Sequence, residues 1–145
     1  MKNIPTSGGS YIVWFKLGRK RRITVGRLGE QVFRPGIYAY CGSAFGPGGL
    51  RARLSHHLRN SERPHWHIDY LKNCSRIVEA WYSTRPENRE HFFAEQLSAL
   101  PQAEIVLAKF GASDCTCATH LIYLPGASVP DLHLFPEELQ ILNNA

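Results

Sequence analysis

A chain of 145 residues, 43% hydrophobic and 20% charged, is long enough for one core and has the composition of an ordinary soluble protein. No apolar run approaches the roughly 20 residues that span a bilayer, and nothing near the start reads as a signal peptide. One domain over 1–145 is therefore expected, cytoplasmic and without a membrane partner; oligomeric state is not legible. The formal charge of +5 and pI of 9.2 favour a polyanionic partner only mildly. The distribution says more: Lys16, Arg19, Lys20, Arg21, Arg22 and Arg27 form one cluster and Arg51, Arg53, Arg59 and Arg63 another, whereas Lys109 is alone after Glu104. A solvated surface would read the same way for the first cluster. The four cysteines, Cys41, Cys74, Cys115 and Cys117, are expected to be reduced.

Residues 1–9 read as a loose lead-in. Tyr11–Leu17 is rich in β-branched and aromatic residues and reads as a strand. Lys20–Val25 is a second strand after a turn at Gly18 and Arg19, Gln31–Arg34 a short strand following the Gly29 turn, and Ile37–Cys41 the next strand. A loop with four glycines and Pro47, residues 42–49, leads into a helix from Leu50 to about Arg59. His67–Asn73 reads as a short helix. Arg76–Ser83 is a strand with Val78, Ala80 and Tyr82 on one face. Pro86 opens a helix that Pro101 stops near Leu100. Ile105–Lys109 and Leu121–Leu124 are candidate strands, Pro136–Leu142 a terminal helix, and 125–145 a C-terminal extension. Strands and helices mix without a βαβ rhythm, so the class is α+β.

Leu50, Leu54 and Leu58 recur every four residues and make an apolar stripe, with Arg53 and His57 one turn apart at its edge. His56 and Arg59 fall on the solvated side. A cation and an imidazole at such a margin suit a site, or else two side chains snorkelling at a core boundary. The glycine loop before this helix either offers backbone N–H groups to a phosphate or is a plain turn. On the helix after Pro86, Glu90 lies in line with Phe93, Ala94 and Leu97. A carboxylate there is costly unless paired or bound to a metal, so Glu90 is either a metal ligand or the partner of an arginine.

Three segments resemble the GIY-YIG endonuclease superfamily, and more closely its branch formerly called domain of unknown function 123, whose members stand alone or are joined to endonuclease III-like domains. Tyr40-Cys41-Gly42 stands for Tyr-Ile-Gly and is followed by Ser43 and the Leu50-x-x-Arg53-x-x-x-His57 spacing. Gly36-Ile37-Tyr38 spells the first half literally but shares a strand with Tyr40, so Gly9-Ser10-Tyr11 is the counterpart. The segment His65–Leu71, with Trp66, His67 and Asp69, and the run Phe110–His120 resemble branch-specific motifs. The resemblance spans about Gly9 to Tyr123. It implies a small, mostly antiparallel central sheet flanked by helices, with an extra β-hairpin between the motif strands. It also implies a metal-dependent endonuclease acting on DNA. Glu90 would hold one Mg²⁺ or Mn²⁺, Arg53 the phosphate, and His57 a relay or phosphate contact. Tyr11, helped by Tyr40, would orient or deprotonate water, the base role needing help from nearby cations or the metal. Gly42, Ser43, Lys16, Arg51 and Arg59 would meet nucleic acid.

Cys115-x-Cys117-x-x-His120 is a weaker signal for structural Zn²⁺, with Cys74, His65 or His67 as a fourth ligand; a packed loop with buried thiols is the alternative. Two other functions fit the same residues. One is a non-catalytic nucleic-acid-binding or interaction module, the other a ribonuclease. The complete set of Tyr11, Tyr40, Arg53 and Glu90 favours the enzyme.

Overall fold

The first strand lies in the interior of the sheet, and its sequence shows why. β1 (Ser10–Leu17) reads as an almost unbroken apolar run, as a strand buried on both faces must. It pairs antiparallel with β4 (Gly36–Ser43) on one side and β5 (Arg76–Ser83) on the other. β7 (Leu121–Leu124) and β6 (Glu104–Ile105) extend the sheet beyond β4, and β8 (Gln140–Ile141) beyond β5, giving the order β6-β7-β4-β1-β5-β8. β2 (Arg21–Thr24) and β3 (Glu30–Phe33) form a separate two-stranded ribbon, the hairpin expected between the motif strands. Among the described residues three helices complete the α+β fold: α1 (Gly49–His57), α2 (His67–Lys72) and α3 (Glu90–Ser98). The structure is a computed structural model, and it describes residues 4–26, 29–59, 67–105, 120–126, 128–132, 135 and 138–142.

Each sheet face carries its own core. Tyr11, Val13 and Phe15 share one face with Tyr38 and Tyr40, covered by Leu50 and Leu54 of α1, Ile68 and Leu71 of α2, and Ile23, Val25 and Phe33 of the ribbon. Ile12, Trp14, Ala39, Cys41 and Trp81 form the other, under Phe93, Ala94 and Leu97 of α3. Val78 does not join Ala80 and Tyr82 as their alternation suggested. A register shift between Trp14 and Phe15 sets Ile77 opposite Phe15, so Ile77 packs on the first core and Val78 on the second.

Three further expectations are corrected. Residues 4–9 are docked, not loose: Ile4 is fully buried, and the carbonyls of Pro5 and Ser7 accept from the N–H groups of Arg51 and Leu50 at 2.8 and 2.9 Å. Those are N-terminal donors of α1, so the lead-in, not a phosphate, satisfies them. A Cβ at Gly49 (φ +57°) would meet Thr6 O at 2.2 Å, so only glycine lets the two segments touch. α3 begins at Glu90 rather than Pro86. Arg89 N–H donates to Ser10 Oγ (2.8 Å) and Glu90 N–H to Asn88 Oδ1 (3.0 Å), which turns the preceding residues instead of coiling them. Finally, 140–141 form strand β8 where a helix over 136–142 was expected. The unpaired edge of β5 outcompetes the apolar spacing of Leu139 and Leu142, and Leu142 N–H reaches Ala80 O at 2.8 Å. β6 covers only the start of the strand expected at 105–109, the rest of which lies outside the described residues.

Candidate functional site

The site lies at the end of the sheet where β1 begins and β4 finishes. Tyr11 pairs with Gly42, and Tyr40 pairs with Val13, so cross-strand pairing puts both tyrosines on the α1 face. Gly42 has a steric role: a Cβ there would lie 2.4 Å from the Tyr11 hydroxyl and ring. The ring therefore lies over the glycine and reaches α1. Tyr11 Oη is 2.7 Å from His57 Nε2, and the Tyr40 ring stands edge-on to His57 at 5.8 Å. Arg53, one turn earlier on α1, sets its positive charge against the Tyr11 hydroxyl.

Burial sets the electrostatics. Tyr11 is 1% exposed, and desolvation, then the field of Tyr40, pushes its phenol well above its usual value, with Arg53 pulling the other way. Tyr40 is raised by burial and then by the negative charge of Glu90, again opposed by Arg53. His57 is pushed down to about 3 by burial, then by the positive fields of Lys72 and His56. The phenol is thus neutral and donates to a neutral imidazole. Arg53 opposes the burial of Tyr11 without offsetting it, and the phenol is held by its 2.7 Å bond to His57.

Glu90 sits on the other side of the same sheet end, and its field reaches Tyr11, Tyr40 and the buried thiol of Cys41. Its side chain is 17% exposed. Oε1 accepts from Ser43 Oγ (2.9 Å) and Asn88 Nδ2 (3.1 Å), and Oε2 lies 3.3 Å from His120 Nδ1. Among the described residues its ion-pair partner is His120 rather than an arginine; Arg89 pairs with Glu138 at 3.1 Å.

Outside the tyrosines, a cleft of about 280 Å³ opens along α1, lined by Arg53, His56, Arg59 and the turn around Gly46 and Pro47. His56, read from its helical position as solvated, is in fact a wall of this cleft. Its Nε2 lies 2.9 Å from Asp69 Oδ1. Asp69 is fully buried and is also 3.2 Å from Lys72 Nζ, itself 3% exposed. Lys72 donates in turn to the His56 carbonyl (2.9 Å), closing the last turn of α1. A buried ion pair on α2 therefore holds the part of α1 that carries His57. The motif segment at 65–71 was the available signal for Asp69; nothing in the sequence pointed to Lys72, Asn88 or the Glu90–His120 contact.

The other proposed contacts scatter. Ser43 orients Glu90, and Arg59 lines the cleft. Arg51 instead donates to Ile4 O at 2.9 Å. Lys16 lies near the far end of β1, opposite Ile37 and Arg76, on the sheet face away from α1. Cys115 and Cys117 lie outside the described residues, as do His65 and Trp66. His120 is turned to Glu90, and no group of three or more His, Cys, Asp or Glu side chains forms a metal cluster among the described residues. No described helix is long and apolar enough to cross a membrane.

Fold and site together define an α+β protein with a buried tyrosine–histidine pair, an adjacent arginine and a carboxylate gathered at one sheet end. Residues 10–136 match a family described as "Domain of unknown function DUF123", and the chain belongs to that family. No curated protein and no solved structure matches it.

Proposed function

We propose that this protein is a metal-dependent endonuclease of the GIY-YIG type that hydrolyses phosphodiester bonds of DNA. The observation that carries this reading is the Tyr11–His57 hydrogen bond of 2.7 Å beside Arg53, at the sheet end that also holds Glu90. The Tyr11 hydroxyl, fixed by donating to His57 Nε2, would orient the attacking water, whose proton is lost to solvent as its oxygen bonds to phosphorus. The bond from phosphorus to the 3′ oxygen breaks, its electron pair leaves with that oxygen, and solvent protonates it. Products carry a 5′ phosphate and a 3′ hydroxyl. Arg53 offsets the charge developing on the phosphate, and Arg59 in the cleft steers the strand. Tyr40 packs edge-on against His57 and holds its ring in place.

The residues fit a hard divalent ion. Glu90 is a carboxylate fixed by two hydrogen bonds yet still 17% exposed, a donor suited to Mg²⁺ or Mn²⁺ with water completing the shell. A bound ion would supply Lewis-acid stabilisation of the phosphate and the leaving oxygen.

Cleavage of labelled single-stranded DNA, double-stranded DNA and RNA in Mg²⁺ or Mn²⁺ tests this. Tyr11→Phe, Arg53→Ala and Glu90→Ala are each expected to lose on the order of 10²-fold or more in rate. A wild type that cuts nothing, or a Glu90→Ala variant that cuts as fast as wild type, refutes the assignment. Cutting confined to RNA would make it a ribonuclease.

A further inference from the structure

The geometry points to His120 as a second protein ligand to the divalent ion of Glu90, through Nδ1, giving a site that favours transition-series ions over Mg²⁺. This rests on the metal-dependent reading above and adds a ligand to it. Glu90 Oε1 is already committed to Ser43 Oγ (2.9 Å) and Asn88 Nδ2 (3.1 Å). These two hydrogen bonds set the carboxylate plane, as outer-shell groups do for metal ligands. Oε2 then faces His120 Nδ1 at 3.3 Å.

That separation suits a shared ion. Two neighbouring ligands each about 2.1 Å from a metal stand about 3.0 Å apart in an octahedron and about 3.4 Å apart in a tetrahedron. The observed 3.3 Å lies between. His120 is also held in place: its carbonyl accepts from Cys41 N–H at 2.9 Å, it immediately precedes β7, and its ring packs against His91 at 5.7 Å. It is 3% exposed, so little rotamer freedom is left to lose on binding. Two protein ligands leave several positions for water and a phosphate oxygen, as a catalytic ion needs. An imidazole nitrogen is a poor donor for Mg²⁺ and a good one for first-row transition ions. Glu90 alone, with waters, would show no such preference.

The test is equilibrium binding of Mn²⁺ to the full chain, read from the spin-resonance signal of free Mn²⁺, with Mg²⁺ as competitor and no nucleic acid present. Wild type is expected to bind one Mn²⁺, and Glu90→Gln none. His120→Ala should weaken Mn²⁺ at least about tenfold while changing Mg²⁺ much less. His120→Asn, whose amide oxygen lies near the position of Nδ1, should bind an ion but lose the preference for Mn²⁺; it also serves if the alanine variant does not fold. Unchanged Mn²⁺ affinity and selectivity in both variants would overturn the role of His120 and leave the nuclease reading intact. If neither wild type nor Glu90→Gln takes up Mn²⁺, the metal reading itself falls, and this ligand with it.

Discussion

One methyl group added at residue 42 should strike the Tyr11 ring. An ideal Cβ there lies 2.4 Å from both Cζ and Oη of Tyr11 and 2.9 Å from Cε1, far inside contact distance. Both residues sit on central strands, and Tyr11 is 1% exposed, so neither backbone nor ring has room to yield. Overpacking of a dense core costs about 1–3 kcal/mol. A displaced ring also loses the 2.7 Å bond to His57, at about 1–3 kcal/mol for buried groups left unsatisfied. Gly42→Ala should therefore destabilise the fold by about 2–6 kcal/mol. Urea unfolding of a double-mutant cycle isolates the contact. In a Tyr11→Leu background the clash disappears, so Gly42→Ala should cost much less there, with a coupling of at least about 1 kcal/mol. Costs that add to within about 0.5 kcal/mol in the two backgrounds would refute the claim that the glycine exists to admit the ring.

Two further outcomes follow from buried ionisable groups. The folded chain holds His57 down at about 3 against an ordinary value of 6.5, so the unfolded state binds a proton that the native state refuses. Stability from this residue is complete above pH 6.5 and falls as pH drops toward 3. Between pH 7 and pH 5 wild type should lose about 2 kcal/mol more than His57→Gln, by urea unfolding at each pH; equal losses would contradict a buried neutral imidazole. Asp69 and Lys72 are nearly inaccessible and 3.2 Å apart. Asp69→Leu or Lys72→Met alone should cost about 3–5 kcal/mol by stranding a buried charge, and the double variant less than the sum. Strict additivity in the same measurement would show that the charges are not coupled.

The elements of this protein are largely written in local sequence. The aromatic, β-branched run of β1, the glycine turn before α1 and the apolar stripe of Leu50 and Leu54 mark their elements because each periodicity follows from backbone geometry. Arg53, His57 and Glu90 could be singled out the same way, as polar groups in line with buried faces. Local sequence failed where a distant partner decided the outcome. Gln140 and Ile141 became strand because β5 had an open edge. The lead-in was fixed because α1 needed acceptors for its first N–H groups. His56 turned out to wall the cleft because a buried Asp69, thirteen residues away, holds its ring. The link of Tyr11 to His57 across 46 residues, and of Glu90 to His120 across a sheet end, is also a product of register and packing. Which residues could do chemistry is readable from type and spacing. Which of them meet depends on cross-strand pairing, because antiparallel register alone brings Tyr11, Gly42 and Tyr40 to one end of one face.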